Sequence, residues 1–118
     1  MYGLPPDVDL GFLVEAQLLQ VCTGENEVIL NFDREISIMC ASEIRSEAVG
    51  SLAVLFEKPR EATISLVDLL GDVVASVDGA VNGTLQIRWS SGALTEFLDT
   101  WEKFESYTVR HGDLLIVV

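Results

Sequence analysis

The clearest alternation of apolar and polar positions along the chain lies at residues 27–39. Apolar residues occupy every second position on both sides of a short polar break: Val28, Leu30, Phe32, Ile36 and Ile38. Alternation of this kind is typical of two antiparallel strands joined by a hairpin. The break at Asp33-Arg34 lacks the glycine that a tight type I′ turn favours, so a longer loop built on a type I turn is an equal alternative.

Further short elements are predicted before and after this hairpin. Asp7 or Asp9 caps a helical turn through residues 10–14, and a strand follows at residues 17–23. The apolar run Leu52–Phe56 is either a buried strand or a helical turn, because periodicity does not separate the two in so short a run.

A second short helix is predicted to begin at Thr63 or Ser65. Ser65 and Asp68 have the spacing of a capping box, and Gly71 is well placed as a C-terminal stop. Three apolar residues at helical spacing are expected to face the core: Ile64, Val67 and Leu70.

Five more strands are predicted after this helix, at residues 72–78, 84–89, 93–97, 106–110 and 113–118. The strand at 84–89 is expected to point three residues inward: Leu85, Ile87 and Trp89. The final run Leu114–Val118 does not alternate. A strand that is apolar on both faces is expected to lie inside a sheet or to be covered by a second subunit.

The two halves of the chain share this order of elements. A shift of 56 positions aligns Asp9 with Ser65, and a shift of 57 aligns Phe32 with Trp89. We therefore predict one domain, residues 1–118, of the α+β class, with mostly antiparallel β-meanders and two short helices. A finer prediction is an internal duplication with pseudo-twofold symmetry, with repeats at residues 7–44 and 63–118.

Charge and composition narrow the classes of function. The chain carries 19 acidic and 7 basic residues, a net charge of −12, and its bases are scattered. A phosphate-binding surface needs concentrated positive charge, so neither nucleic acid nor an anionic membrane is an expected partner. The first residues do not have the pattern of a signal peptide, and the longest apolar runs are far shorter than a membrane span. A soluble, cytoplasmic protein is expected.

The sequence contains no recognisable catalytic set. Its single histidine, His111, lies in a predicted hairpin turn and is expected to face solvent. Cys22 and Cys40 are predicted to lie two strands apart, about 9–10 Å at the usual interstrand spacing, which is beyond the reach of a disulfide. Two free thiols without nearby histidine ligands do not make a zinc site. We expect no metal, no cofactor and no enzymatic activity.

An acidic and aromatic stretch is the preferred binding surface. Asp99, Trp101, Glu102 and Glu105 combine an aromatic side chain with surrounding negative charge, a composition typical of protein-recognition patches. The alternative interpretation is a solvated loop whose aromatic residues cover the edge of the sheet.

Three stretches resemble a family of small, uncharacterised bacterial proteins: Tyr2-Gly3-Leu4-Pro5, Gln20-Val21-Cys22 and Glu105-Ser106-Tyr107-Thr108-Val109, the last followed by Gly112-Asp113. The resemblance is weakest around residues 45–61. It implies a compact bacterial domain and supplies no functional residues.

We therefore expect a non-enzymatic protein-interaction module that self-associates, and the acidity suggests an antagonist of a basic partner. The first alternative is a small-ligand-binding protein or an undetected enzyme with a pocket between the two lobes. The second is a structural homodimer.

Overall fold

The structure, a computed structural model, describes residues 3–5, 8–100 and 105–118. Within these residues the chain forms ten strands, one α-helix and two 3-10 helices. The strands are β1 (Leu18–Thr23), β2 (Val28–Phe32), β3 (Ile36–Cys40), β4 (Ile44–Glu47), β5 (Val54–Phe56), β6 (Val74–Gly79), β7 (Leu85–Trp89), β8 (Leu94–Phe97), β9 (Tyr107–His111) and β10 (Leu114–Val117). Helix α1 spans Thr63–Val67, and the 3-10 helices span Gly11–Leu13 and Pro59–Ala62.

The strands form two five-stranded antiparallel sheets. Sheet 1 has the order β1-β2-β3-β9-β10, and sheet 2 has the order β5-β4-β8-β7-β6. Each sheet therefore combines a three-stranded meander with a hairpin that follows the other meander in the chain. The predicted antiparallel strands are confirmed, and of the two short helices predicted one is a five-residue α-helix and the other a 3-10 helix.

The inner faces of the two sheets contribute to one apolar core. Phe32 of β2 stacks on Trp89 of β7, with ring centroids 6.0 Å apart. The indole N–H of Trp89 donates a hydrogen bond to the hydroxyl of Thr95 at 2.9 Å, so this buried polar group is satisfied. Leu85, Ile87 and Trp89 are all buried, as the alternation predicted.

Backbone hydrogen bonds join the two sheets where β1 and β6 begin. Gln17 and Val73 form an isolated antiparallel bridge. Beside it, the N–H of Gly71 donates to the carbonyl of Leu18, and the N–H of Glu15 donates to the carbonyl of Val74, each at 2.8 Å. The two donors, Glu15 and Gly71, are 56 positions apart in the sequence. The two acceptors, Leu18 and Val74, are separated by the same number of positions.

Two further features recur at the same spacing. The β1–β2 pairing shifts register between Leu18 and Gln20, and the β6–β7 pairing shifts between Val74 and Ser76. Glu15 and Gly71 both have positive φ angles, of 71° and 85°. A β-bulge increases local twist, so both meanders bend at the corresponding point where they meet the other sheet.

The helical predictions were right in position and wrong in detail. Ile64 is 79% exposed, and Val67 and Leu70 are more than 40% exposed, whereas Leu66 and Leu69 are buried. The α-helix has only five residues and follows directly on a 3-10 helix, so the helical period used for the prediction does not extend far enough to set the buried face. No side-chain hydrogen bond caps α1, so the expected capping box does not form.

The first helical turn is a 3-10 helix rather than an α-helix. Neither predicted cap is seen, because the N-cap residue is Leu10 and it makes no side-chain cap hydrogen bond. Asp9, one residue earlier, accepts a hydrogen bond through a carboxylate oxygen from the N–H of Gly11 at 2.8 Å. The other predicted cap, Asp7, lies outside the described residues.

Both apolar runs that lacked alternation belong to edge strands. The run Leu52–Phe56 contains β5, and Leu52 is 89% exposed, so neither a buried strand nor a helical turn is correct. β10 is an edge strand of sheet 1, and its residues Leu114 and Leu115 are nearly half exposed, which rules out an interior strand. Each of these strands pairs on one side only, within the described chain.

The loop between β2 and β3 holds two side-chain-bearing residues in the left-handed region, Arg34 at φ 59° and Glu35 at φ 60°. The corresponding loop in sheet 2 has Gly92 at φ 98°. Residues other than glycine pay a steric cost in this conformation.

We predict that Glu35→Gly raises the free energy of unfolding by about 0.5–1 kcal/mol, because relief of the left-handed conformation outweighs the added entropy of glycine in the unfolded chain. Urea denaturation measures the change. Gly92→Ala is the reciprocal control and is expected to lower stability; a loss of stability in Glu35→Gly would contradict the prediction.

Candidate functional site

Asp99 joins three segments of the chain. One of its carboxylate oxygens accepts a hydrogen bond from the backbone N–H of Gly3 at 2.9 Å, and the other accepts one from the hydroxyl of Ser106 at 2.7 Å. A Cβ atom built on Gly83 would lie 2.6 Å from the Asp99 carboxylate, and Gly83 has a φ of 92°. Only glycine fits at position 83, and the β6–β7 turn therefore packs directly on this carboxylate.

The predicted binding surface is only partly described by the structure. Asp99 is half-buried and engaged in the contacts above, whereas Glu105 is exposed. Trp101 and Glu102 lie outside the described residues. Of the two described members, Asp99 stabilises the fold by linking segments of the chain, whereas the exposed Glu105 is accessible to a binding partner.

We predict that Asp99→Ala lowers the free energy of unfolding by about 3 kcal/mol, since it removes two hydrogen bonds to a partly buried carboxylate, each worth about 1.5–3 kcal/mol. Chemical denaturation is the measurement. Glu105→Ala, a removal of charge from an exposed neighbour, should change stability by less than about 0.5 kcal/mol. Equal effects of the two substitutions would refute the structural role of Asp99.

A cavity of about 420 Å³ lies on the outer face of sheet 2, beside Asp99. Its floor is a row of outward side chains paired across the sheet, with Asp78 opposite Gln86 and Glu96 between Gln86 and Arg45. The guanidinium of Arg45 donates to the Glu96 carboxylate at 3.3 Å, and both side chains are at least partly exposed. The cavity is polar and open, and it is not the pocket between lobes that one alternative expected.

The outer faces of the two sheets differ sharply in chemistry. In sheet 2 the outward residues of β4–β8 are mostly charged or polar: Arg45, Glu47, Leu55, Ser76, Asp78, Gln86, Arg88, Leu94 and Glu96. In sheet 1 the corresponding residues contain no carboxylate and a single charge, Arg110: Gln20, Cys22, Ile29, Asn31, Ser37, Met39, Thr108, Arg110, Leu115 and Val117. We refer to these ten residues as the neutral face.

The neutral face was not identified from the sequence. Its central row, from Cys22 through Ile29, Met39 and Thr108 to Val117, is partly exposed. The sequence does contain one indication of it. Ile29 and Met39 are apolar residues at the outward positions of strands whose inward positions are already apolar. Alternation identifies the core face and says little about apolar residues in the opposite phase.

The two cysteines are free and point to opposite sides of sheet 1. Cys22 pairs with Ile29 on the neutral face, whereas Cys40 is fully buried opposite Val28. Burial raises the pKa of the Cys40 thiol to about 12, although hydrogen bonds with Ser42 act in the other direction. Burial, with the nearby Cys40 as a second cause, also raises the pKa of Tyr107 above its usual value. Neither group is suited to act as a nucleophile near neutral pH.

We predict that stability falls as the pH rises above about 9. The unfolded chain loses the Cys40 proton near the ordinary pKa of 9.0 and the folded chain only near 12, so deprotonation favours unfolding in that window. Urea denaturation at a series of alkaline pH values should show a shallower loss for Cys40→Ala than for the wild type. Cys22→Ala leaves Cys40 and Tyr107 in place, so its free energy of unfolding should fall with pH as steeply as that of the wild type. An equally steep fall in Cys40→Ala would contradict the attribution of the pH dependence to the Cys40 thiol.

His111 faces solvent in the β9–β10 hairpin, as predicted, and its ring stacks on Phe12 with centroids 4.7 Å apart. No group of three or more potential metal ligands occurs among the described residues. In that same part of the chain, no helix is both long and apolar enough to cross a membrane.

Comparison with known proteins adds nothing to this description. No protein-family model, no curated protein and no solved structure matches the chain.

Proposed function

We propose that this chain is a non-enzymatic protein-interaction module. The observation that carries the proposal is the apolar surface at two of the four sheet edges. Leu52 and Leu55 lie at the β5 edge of sheet 2, and Leu114 and Leu115 lie at the β10 edge of sheet 1, all between 46% and 89% exposed. Apolar edge strands with unpaired backbone groups are templates for pairing with another chain. A chain with a net charge of −12 stays soluble despite such edges, because like charge opposes unspecific association.

The partner proposed first is a basic protein that approaches the acidic stretch around Glu105. Clustered negative charge steers a cationic partner and raises its rate of association. Because the Asp99 carboxylate is already hydrogen-bonded to Gly3 and Ser106, the partner would contact Glu105 together with Trp101 and Glu102. Antagonism of that basic partner is the biological role that this contact would serve.

We predict that Trp101→Ala combined with Glu102→Lys and Glu105→Lys abolishes capture of the partner from a lysate of the source cell, read by mass spectrometry. Asp99 is left unchanged so that the fold is preserved. Capture by the wild type should fall between about 0.05 M and about 0.5 M salt, since exposed charges are screened at high ionic strength.

A matched control carries Val81→Ala with Glu25→Lys and Glu57→Lys, which makes the same change in charge at exposed positions elsewhere. This control should capture the partner as the wild type does. Equal capture by the control and the Trp101 variant would show that the acidic stretch is not the contact surface. If the wild type captures no protein in a salt-sensitive way, the proposal of a basic partner is refuted.

A small-ligand site is the second candidate, and the cavity on the outer face of sheet 2 is the observation that favours it. The junction between the sheets is filled by buried side chains such as Phe32 and Trp89, so a ligand would bind beside Arg45 and Glu96 and not between the lobes.

We also propose that the chain arose by duplication of one α+β unit. Support comes from the equivalent bulges at Leu18 and Val74, from the paired hydrogen bonds of Glu15 and Gly71, and from the exchange of hairpins between the sheets. Membership of a family of small bacterial proteins and a cytoplasmic location stay predictions from the sequence.

A further inference from the structure

We propose that the neutral face of sheet 1 is the contact face of a homodimer, and that its occupant is the same face of a second copy of this chain. This inference rests on the proposed function, because it names one partner of the interaction module and the surface that the partner uses.

The distribution of charge over the two sheets favours a second copy of the chain on the neutral face. Each copy carries a net charge of −12, so two copies repel one another over most of their surface. Packing two copies of sheet 2 through its outer face, about a twofold axis along the middle strand β8, would bring the two Glu96 carboxylates together. The neutral face has no carboxylate at all, so two such faces meet without acid–acid contacts.

The composition of the neutral face is that of an interface. Interface centres are depleted in Asp, Glu and Lys and enriched in Met and Arg. Met39 lies on β3, the middle strand of sheet 1, with Ile29 on one side and Thr108 on the other. Beside this centre, the Asn31 amide N–H donates to the Gln20 side chain at 3.0 Å.

A twofold axis along β3 gives this face a self-complementary contact. Met39 then meets the partner's Met39, and Ile29 meets the partner's Thr108. Arg110 lies over the partner's Asn31, where a guanidinium can donate to the amide oxygen. The Met39 pair lies on the axis and occurs once, whereas each of the other two pairs occurs twice. Reciprocal contacts of this kind define the isologous interfaces of twofold dimers.

The area of the face predicts a weak and reversible dimer. Five strands at about 4.8 Å spacing and about four residues of length give a contact of about 24 by 13 Å. This is less than the area of about 800 Å² per partner that stable complexes bury. We therefore expect a dissociation constant on the order of tens of micromolar, with exchange between monomer and dimer during a measurement.

The test is sedimentation velocity on the full chain from about 5 µM to about 500 µM, a range that spans the expected dissociation constant. The wild type should shift from monomer to dimer across this range. Met39→Glu should raise the dissociation constant at least tenfold, because the twofold axis brings the two new carboxylates together. Gln86→Glu adds the same charge at an outward position of sheet 2 and should leave the dissociation constant unchanged.

A fold check accompanies these variants. The residue of sheet 2 that corresponds to Met39 is Glu96, so a glutamate is already accommodated at an equivalent outward position, and circular dichroism should show Met39→Glu to be folded. As a second measurement, Met39→Cys in a Cys22→Ala chain should form an intermolecular disulfide on mild oxidation. A substitution to cysteine at Ser76 of sheet 2, also in the Cys22→Ala chain, should not.

Each outcome decides the inference. A wild type that stays monomeric to about 500 µM, or a Met39→Glu variant that dimerises as well as the wild type, would overturn it. Neither result affects the proposed interaction with a basic partner, which is judged by capture from a lysate. If that capture is lost while dimerisation is normal, only the proposed interaction with a basic partner is refuted.

Discussion

The backbone pairing between Gln17 and Val73 is the constraint on which the rest of the structure depends. It fixes where the first strands of the two meanders meet, and the reciprocal hydrogen bonds of Glu15 and Gly71 hold that contact from both sides. With this point fixed, the inner faces of the two sheets are opposed, and Phe32 and Trp89 stack between them. Neither meander alone buries its apolar face, so the core belongs to both halves of the chain.

The strands could be predicted from the sequence because one physical rule controls them. Leu85, Ile87 and Trp89 alternate with polar neighbours, and burial of one face of a sheet requires this period. The rule fails where an element is too short to establish a period, as at α1, where Leu66 is buried in place of Ile64. It also fails at the edges, because an apolar run such as Leu52–Phe56 does not reveal how many neighbours its strand has.

The candidate surfaces were predictable to a smaller degree. Asp99 was identified by its place in an acidic and aromatic stretch, but its bonds to Gly3 and Ser106 depend on segments far apart in sequence. The neutral face depends on register, since only the pairing of Met39 with Ile29 and Thr108 brings its residues side by side. Register between distant strands follows from the tertiary fold and is not encoded in any one stretch.

The exchange of hairpins has a consequence for synthesis on the ribosome. β3 acquires its second neighbour only when β9 emerges, 67 residues after Cys40. At about 5–20 residues per second, the open side of β3 stays without its partner for about 3–13 seconds. During this interval the nascent chain exposes the backbone edge beside Ile38 and Met39, and an unpaired edge of this kind is a template for misassembly between neighbouring nascent chains.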